Sequence, residues 1–242
     1  MRPELWAGGL MPFGEWLLAN DDPRPVIAVP DLLLPETLDR LLMQVYGTEL
    51  MPDQLPVLVS QWSKYYFMHL IPPVVVASLV HDWHWPLGLD QVGFAQNERG
   101  LLDGVRFSAA GGIRLSAPSD QAQRFGPLLD HLQQVIEGLS RYGGVAPGVL
   151  WGNAGDYLET SLTRLAQVSD VALVEGYALL NQRTRTDGRP DPLFNAITYM
   201  ESPHGLRRQR RSCCLSHRVE WVGRCEHCPL GPEDSDPKLV PF

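Results

Sequence analysis

All four cysteines of this 242-residue chain lie within sixteen residues near its C-terminal end. Cys213 and Cys214 are adjacent, ten residues follow, and Cys225 and Cys228 then form a Cys-x2-Cys pair. A thiolate-rich set of this kind binds soft metals, which in proteins means zinc or an iron–sulfur cluster. The four thiols are therefore predicted to be the ligands of one metal centre.

The spacing of the two halves bears on which metal is bound. Zinc ribbons bring two short knuckles of the Cys-x2-Cys type onto one ion, and only Cys225 and Cys228 have that spacing. Neighbouring residues of an extended chain point to opposite sides, so Cys213 and Cys214 converge poorly on one small ion, whereas a two-iron rhomb is a larger target. The spacing favours [2Fe–2S] and leaves zinc open. A disulfide fits less well, because the chain shows no secretory signal and disulfides belong mainly to oxidising compartments.

The residues around the cysteines are basic, although the chain as a whole is acidic. Between residues 203 and 228, six arginines stand against two glutamates in a chain whose net charge is −8. Cations and hydrogen bonds beside a cluster raise its reduction potential, while the alternative interpretation is a solvated basic turn or a nucleic-acid patch. The charged residues are Arg207, Arg208, Arg210, Arg211, Arg218, Arg224, Glu220 and Glu226. The three histidines of this region are interpreted as surface groups or neighbours of the site rather than ligands; they are His204, His217 and His227.

Other motifs that carry chemistry are weak or missing in the sequence. His81 and His84 have a metal-ligand spacing, but two ligands without a third are more typical of surface and core residues. The sequence contains no Gly-x-Ser-x-Gly elbow, no Gly-x-Gly-x-x-Gly and no Gly-x4-Gly-Lys. It therefore gives no sign of a built-in nucleotide or flavin domain, and any electrons are expected to come from another protein.

The elements that must position the cysteines are mostly helical by their apolar periodicity. Leucines recur at helical spacing over 35–46 and stop at Gly47, which predicts a helix. A longer helix is predicted to begin at Pro52-Asp53 and to kink or restart at Pro72-Pro73, because a proline pair removes hydrogen-bond donors and restricts the residue before it. The helix is predicted to continue over 74–83 after the prolines, and further helices are predicted around 128–139, over 147–168 and over 171–181.

One stretch changes to the two-residue period of β-strands. Residues 91–96 and 104–108 alternate, with a turn at Asn97-Glu98-Arg99-Gly100 between them, so a β-hairpin is predicted. Residues 1–30 are expected to be irregular, and 193–199 to be a strand or helix that leads into the cysteine segment. The predicted fold class is α+β: a mostly helical body over 1–200 with a β-hairpin or small antiparallel sheet, then a C-terminal cluster-binding segment over 201–242.

Composition limits the classes of protein that fit. The hydrophobic share of 44% is enough for one large or two small cores, and the negative charge argues against nucleic-acid binding by the body. The first residues lack the features of a signal peptide. The most apolar stretch, 67–80, is shorter than the roughly 20 residues that span a bilayer. A cytoplasmic protein is expected, with no transmembrane segment and no nucleic-acid partner.

The cysteine segment also resembles a known family. Arg210-Arg211-Ser212-Cys213-Cys214-Leu215 and Cys225-Glu226-His227-Cys228-Pro229-Leu230 closely resemble the C-terminal signature of the FhuF-type ferric siderophore reductases, whose Cys-Cys-x10-Cys-x2-Cys motif holds a [2Fe–2S] cluster. Three upstream segments are similar to the family in the same order, so the resemblance covers most of the chain. They are Ser60-Gln61-Trp62, Leu150-Trp151-Gly152-Asn153 and Asp191-Pro192-Leu193.

The resemblance implies a function as well as a cofactor. It implies one-electron reduction of a ferric hydroxamate siderophore, with release of Fe(II) in the cytoplasm or at the inner membrane, and no catalytic residue beyond the cluster. The electron donor implied is a ferredoxin, flavodoxin or flavin reductase. Two alternatives stay open, an iron–sulfur carrier or redox sensor and a zinc-stapled interaction protein. Substrate contacts are predicted at Arg207, Arg208, Arg210, Arg211, Trp62 and Trp151.

Overall fold

The computed structural model describes residues 3–50, 53–113, 121–185, 188–202, 205–219 and 222–230. Most of these residues lie in helices. The helices are α1 Met11–Gly14, α2 Val29–Leu32, α3 Pro35–Tyr46, α4 Leu55–His81, α5 Gln121–Gly143, α6 Pro147–Val168 and α7 Val174–Asn181, with short 3-10 turns at Pro3–Trp6, Gly8–Leu10, Thr48–Leu50, Leu89–Gln91 and Ser216–Arg218. The strands are β1 Val26–Ala28, β2 Trp83–His84, β3 Val92–Gln96, β4 Leu102–Phe107, β5 Gly112–Ile113, β6 Ile197–Ser202 and β7 Gly205–Arg210.

Helix α4 is the centre of the molecule, and α6 packs along it. Its 27 residues are apolar on nearly every face, and side chains from Val57 to Leu79 are buried around its whole circumference. A helix that is hydrophobic all round is stable only when other elements cover it. Helices α3, α5 and α6 and strand β4 supply that cover, so α4 is the element against which the rest of the fold is built.

A restart of the helix at Pro72-Pro73, one of the two predicted outcomes, is wrong, because α4 continues through both prolines to His81. A kink at the proline pair stays a prediction. An interior proline costs about 3 kcal/mol in an isolated helix. Here Pro73 and its neighbours Ile71, Val74 and Val75 are all buried, and this tertiary packing offsets the missing backbone hydrogen bonds. Trp83, predicted as helical, begins β2 instead, and Pro52 lies outside the described residues.

The predicted hairpin is confirmed and is part of a larger sheet. Strands β3 and β4 pair antiparallel, with Val92 opposite Phe107. Strand β1 adds to the other edge of β3, with Ile27 opposite Phe94, which gives the order β1-β3-β4. The prediction that residues 1–30 are irregular therefore missed strand β1 and the short helix α1. The α+β fold class is confirmed.

A second antiparallel hairpin leads into the cysteines. Strands β6 and β7 pair in register from Ile197–Arg210 to Ser202–Gly205. In the stretch 193–199, which was predicted as strand or helix, residues 197–199 are therefore strand, while residues 193–196 form turns. The predicted division after residue 200 falls within β6 and stays a prediction. Within the described ranges, no helix combines the length and apolar character that a membrane span needs.

Candidate metal centre

The cysteine segment is a chain of tight turns that follows β7. Leu215 has a left-handed backbone conformation, with φ 65°, at the start of the Ser216–Arg218 turn, and this reverses the chain directly after Cys214. The amide of Cys228 donates to the carbonyl of Cys225 at 3.1 Å, which closes the Cys-x2-Cys knuckle. Cys214 and Cys228 are buried, and Cys213 and Cys225 are half-buried.

These turns bring sulfurs from both halves of the motif together. The Sγ atoms of Cys214 and Cys225 lie 3.6 Å apart, and none of the four cysteines forms a disulfide. Two thiolates on one tetrahedral metal, with metal–sulfur bonds of about 2.3 Å, lie about 3.8 Å apart. The spacing of this pair, together with the four thiols of the segment, therefore fits the chemistry of a thiolate-bound metal centre. In the part of the chain that the structure describes, no three His, Cys, Asp or Glu side chains are grouped around a position for a single ion.

Hydrogen bonds reach the sulfurs from the same turns. The amide of Leu215 lies 3.3 Å from Cys213 Sγ, and the hydroxyl of Ser216 lies 3.2 Å from Cys214 Sγ. His217 Nδ1 lies 3.4 Å from Cys213 Sγ. Such contacts stabilise thiolate charge and tune the potential of a bound cluster. His217 therefore neighbours the site, as predicted, while His204 lies outside the described residues.

The surrounding charges, hydrogen bonds and burial shift the pKa values of the thiols in different directions. The pKa of Cys214 is lowered, first by the hydrogen bond from Cys225, with the positive charges of Lys64 and Arg210 acting in the same direction. That hydrogen bond raises the pKa of Cys225, and burial adds to the rise. Burial raises the pKa of Cys213. Positive charge from α4 and β7 therefore favours the thiolate form of Cys214.

Helix α4 holds the backbone at Cys214. The hydroxyl of Ser60 donates to the Cys214 carbonyl at 2.8 Å, and Gln61 Nε2 donates to the same oxygen at 2.7 Å. Both side chains are buried. A buried carbonyl with two donors is fully satisfied, and loss of either donor is costly because the groups left behind cannot turn to water. The metal-binding turn is thus fixed to the central helix.

Asn153 of α6 connects this contact to β7. Its Nδ2 donates to the Ser60 carbonyl at 2.8 Å and to Ser63 Oγ at 2.9 Å. Its Oδ1 accepts a hydrogen bond from Arg210. Arg210 is only 2% exposed, and Asp156 Oδ2, 3.4 Å away, partners its charge. One amide therefore joins α4, α6 and the strand that leads into the cysteines.

A second ion-pair group lies one turn further along α6. Arg208 contacts Asp156 and Glu159, with nitrogen–oxygen distances of 2.6 Å to each. Tyr199, opposite Arg208 in the hairpin, also donates to Glu159. Burial opposes ionisation of Glu159, but hydrogen bonds from Tyr199, Thr163 and Arg208 hold its pKa below its usual range. The hairpin is thereby fixed to α6 by charge as well as by packing.

Two glycines of α6 allow the segment to approach closely. A Cβ atom at Gly152 would lie well inside van der Waals contact with Ser212 Oγ, and one at Gly155 would do the same with the Cβ of Ala196. Glycine is therefore needed where the cysteine segment crosses the helix. The Leu150-Trp151-Gly152-Asn153 segment lies at this crossing.

The predicted substrate contacts separate into buried and exposed residues. Trp62 has no exposed surface and Trp151 is 5% exposed, so neither presents a ring to a bulky ligand from outside. Arg208 and Arg210 bind α6. Arg211 is exposed and Arg207 is half-buried. A substrate role for these six residues stays a prediction.

Sequence reasoning missed Lys64, Asp156 and Glu159. A signal for the two carboxylates was present, because Asn153, Asp156 and Glu159 recur every three residues and so share one helix face. Arg208 and Arg210 alternate on a strand and share one sheet face. An acidic stripe on a helix and a basic stripe on a strand are a recognisable complementary pair. Lys64 carries no comparable signal.

Comparisons with known proteins agree with this geometry. The family described as ferric iron reductase FhuF-like transporter matches residues 60–204, which run from the Ser60 contact on α4 to the β6–β7 hairpin. The FhuF 2Fe-2S C-terminal domain matches residues 210–230, the range that contains all four cysteines. The chain is also similar to a ferric siderophore reductase of Escherichia coli (strain K12), with 25% identity over 175 residues. That match covers 72% of this chain and 65% of the relative, so the chain spans less than two thirds of the relative's length.

The family match extends over more than half of the chain and continues through the cysteines. The segment after β7 therefore corresponds to the family's [2Fe–2S] domain. The chain belongs to the FhuF family of ferric iron reductase-like proteins.

Proposed function

We propose that the protein is a ferric siderophore reductase that transfers one electron to Fe(III) bound by a hydroxamate chelator and so releases Fe(II). The observation that carries the proposal is the attachment of the cysteine segment to the body. Ser60, Gln61 and Asn153 hold it through buried hydrogen bonds that span 57 to 154 residues of sequence. A simple electron carrier does not need such a body, whereas a reductase needs a rigid surface on which a substrate can approach the redox centre.

In this proposal Cys213, Cys214, Cys225 and Cys228 hold the [2Fe–2S] cluster, which supplies one-electron transfer when bound. The chain's other residues position and tune it. Ser60 and Gln61 fix the Cys214 backbone, Ser216 and the Leu215 amide contact the sulfurs, and Arg210 supplies buried positive charge. No general acid or nucleophile is required, because outer-sphere electron transfer moves no atoms within the protein.

The substrate class follows from the chemistry of iron. Hydroxamate oxygens are hard, charged donors that suit Fe(III) much better than Fe(II). Addition of one electron therefore weakens the chelate and releases the metal. The family relative is named a ferric siderophore reductase, which supports this class. We place the reaction in the cytoplasm, where the released Fe(II) can be used.

The electron donor is proposed to bind the surface of the β6–β7 hairpin. We define this hairpin surface as Met200, Arg207 and Arg211. Met200 lies opposite Arg207 in the hairpin and is 52% exposed, and the basic residues suit an acidic ferredoxin or flavodoxin. Electrostatic complementarity of this kind mainly accelerates encounter.

The first experiment tests the metal centre. Anaerobically purified protein is expected to be red-brown, to contain acid-labile sulfide and to bleach on reduction, while a zinc protein is colourless throughout. Cys214→Ser should remove or severely degrade the cluster, measured as iron and sulfide per chain and by the visible spectrum. Ser212→Ala keeps all four thiols and is the matched control. A Cys214→Ser spectrum identical to wild type would remove Cys214 from the ligand set.

The second experiment separates a reductase from a carrier. Reduced protein is mixed with a ferric hydroxamate while a ferrous chelator traps the product. Trapped Fe(II) should appear in proportion to the loss of reduced cluster, one iron per electron. Rapid cluster oxidation by another redox protein but none by ferric hydroxamates would instead identify a carrier.

A further inference from the structure

Lys64 is a basic residue of the body that lies at the metal centre. It is on α4, one turn after Ser60 and Gln61, and its side chain is half-buried. The hairpin and the cysteine segment contribute the other basic residues considered so far. Lys64 therefore supplies positive charge from the central helix, whereas Arg210 supplies it from β7.

A hydrogen-bonded chain connects Lys64 to the cysteine backbone. Lys64 Nζ donates to Gln61 Oε1 at 2.7 Å, and Gln61 Nε2 donates to the Cys214 carbonyl at 2.7 Å. The amide oxygen of Gln61 thus accepts a hydrogen bond from the Lys64 ammonium, while its amide nitrogen donates to the turn that contains Cys214. The ammonium of an otherwise flexible side chain is held at one place.

The geometry places this charge close to the sulfurs. The Lys64 ammonium is two hydrogen bonds away from the backbone carbonyl of Cys214, and the Sγ atom of Cys214 lies 3.6 Å from that of Cys225. Because the side chain is half-buried, salt screens this interaction less than it screens a surface pair.

We propose that Lys64, held by Gln61, is a positioning residue that sets the reduction potential of the cluster. The inference rests on the proposed cysteine ligation. A cluster gains one negative charge on reduction, so a nearby fixed cation stabilises the reduced form more than the oxidised form. Lys64 therefore makes the cluster easier to reduce by the donor.

The test is a redox titration of the loaded protein, followed by EPR and visible absorption. Lys64→Met removes the charge and keeps the length of the stem, Lys64→Gln removes the charge and keeps a polar group near Gln61, and Lys64→Arg keeps the charge. Arg141→Met, on an exposed site near the end of α5, removes one positive charge elsewhere. Iron and labile sulfide are measured for each variant, so that potentials are compared only between fully loaded proteins.

Lys64→Met and Lys64→Gln should lower the equilibrium constant for cluster reduction on the order of tenfold, which for one electron corresponds to a potential about 59 mV lower. Lys64→Arg should stay close to wild type, and Arg141→Met should change little. A loaded Lys64→Met or Lys64→Gln protein with the wild-type potential would overturn the inference, as would an equal shift in Arg141→Met. Loss of the cluster from both would overturn it too, by assigning Lys64 to cluster assembly. A wild-type chain without labile sulfide would instead defeat the proposed function.

Discussion

At the scale of single residues, the site depends on side chains that make several contacts at once. Asn153 bonds to α4 through Ser60 and Ser63 and to β7 through Arg210. Arg210 is buried, and a buried charge is tolerated only when paired and hydrogen-bonded. The identity of these residues therefore follows from satisfaction of buried polar groups, and none of them needs to touch a substrate to matter for function.

The close approach of Ala196, directly before β6, to α6 gives a prediction about Gly155. Gly155→Ala places a methyl group against the Cβ of Ala196, which is fixed to the backbone and cannot rotate away. Overpacking of this kind costs about 1–3 kcal/mol. The variant should have a lower urea midpoint and a lower cluster content, because the Ala196 carbonyl also accepts the Arg211 amide.

Two further variants isolate the cause. Gly148→Ala adds a methyl group on the same helix where nothing lies within 4 Å, so it should be neutral or stabilise the helix by up to about 1 kcal/mol. Gly155→Ala combined with Ala196→Gly removes the clashing atom and should restore most of the cluster content. If Gly155→Ala matched Gly148→Ala in both measurements, the close approach would not limit docking.

At the scale of elements, the sequence predicted local structure well and pairing poorly. The helices Pro35–Tyr46 and Pro147–Val168 have the predicted bounds, because each combines apolar periodicity with an N-terminal proline. The continuity of α4 through Pro72-Pro73 depends on burial by other elements, which no local pattern records. Strand β1 has only three residues, which is too short for a periodic pattern to reveal. It forms because it pairs with the edge of β3.

The contact between α4 and α5 contains a buried histidine with a predictable pH effect. His131 Nε2 lies 2.6 Å from the hydroxyl of Tyr66, and its Nδ1 lies 2.8 Å from the Leu87 carbonyl. Burial lowers the pKa of His131 to about 4, below the value of about 6.5 expected in the unfolded chain. As the pH falls below 6.5 the unfolded state takes up the proton first, so stability is lost between about pH 6.5 and pH 4.

Between pH 7.5 and pH 5.5 this group alone should cost about 1.4 kcal/mol of unfolding free energy. His131→Gln cannot titrate, so its stability should fall less over the same range. Urea unfolding at both pH values measures the difference, and the comparison removes the contribution of other titrating groups. Parallel pH profiles for wild type and variant would show that His131 is not responsible.

At the scale of the whole molecule, charge is distributed unevenly. The net charge is −8, yet the region from residue 203 to 228 carries a surplus of arginine. The structure divides this surplus by role: Arg208 and Arg210 point to Asp156 and Glu159 of α6, while Arg211 and Arg218 are exposed. The sequence shows the excess of arginine but not which arginines are paired, because their acidic partners on α6 lie about 50 residues away in the chain.

The same limit applies to the candidate site as a whole. Residue type and spacing predict the four cysteines as ligands of one centre, because thiolates within one short segment have few other uses, and the family match over residues 210–230 supports a [2Fe–2S] cluster there. Ser60 and Gln61 bond to that segment across about 150 residues, and Lys64 bonds to Gln61, so only the packing of α4 against the segment reveals these contacts. The sequence therefore predicts the cysteine ligands but not the residues of α4 that hold their segment in place.

The half-buried Arg207 and the exposed Arg211 give the last prediction, which concerns the donor. Reduction of the cluster by an acidic ferredoxin should be slower in the double variant Arg207→Gln/Arg211→Gln, by about three- to tenfold at low ionic strength, because steering by complementary charge accelerates encounter. The difference should shrink at high salt, where the Debye length falls to about 3 Å. Arg40→Gln/Arg141→Gln removes the same charge from exposed sites on α3 and α5 and should leave the rate nearly unchanged. Stopped-flow absorbance at two salt concentrations measures all three proteins, and an equal loss of rate in both double variants would place donor binding elsewhere than the hairpin surface.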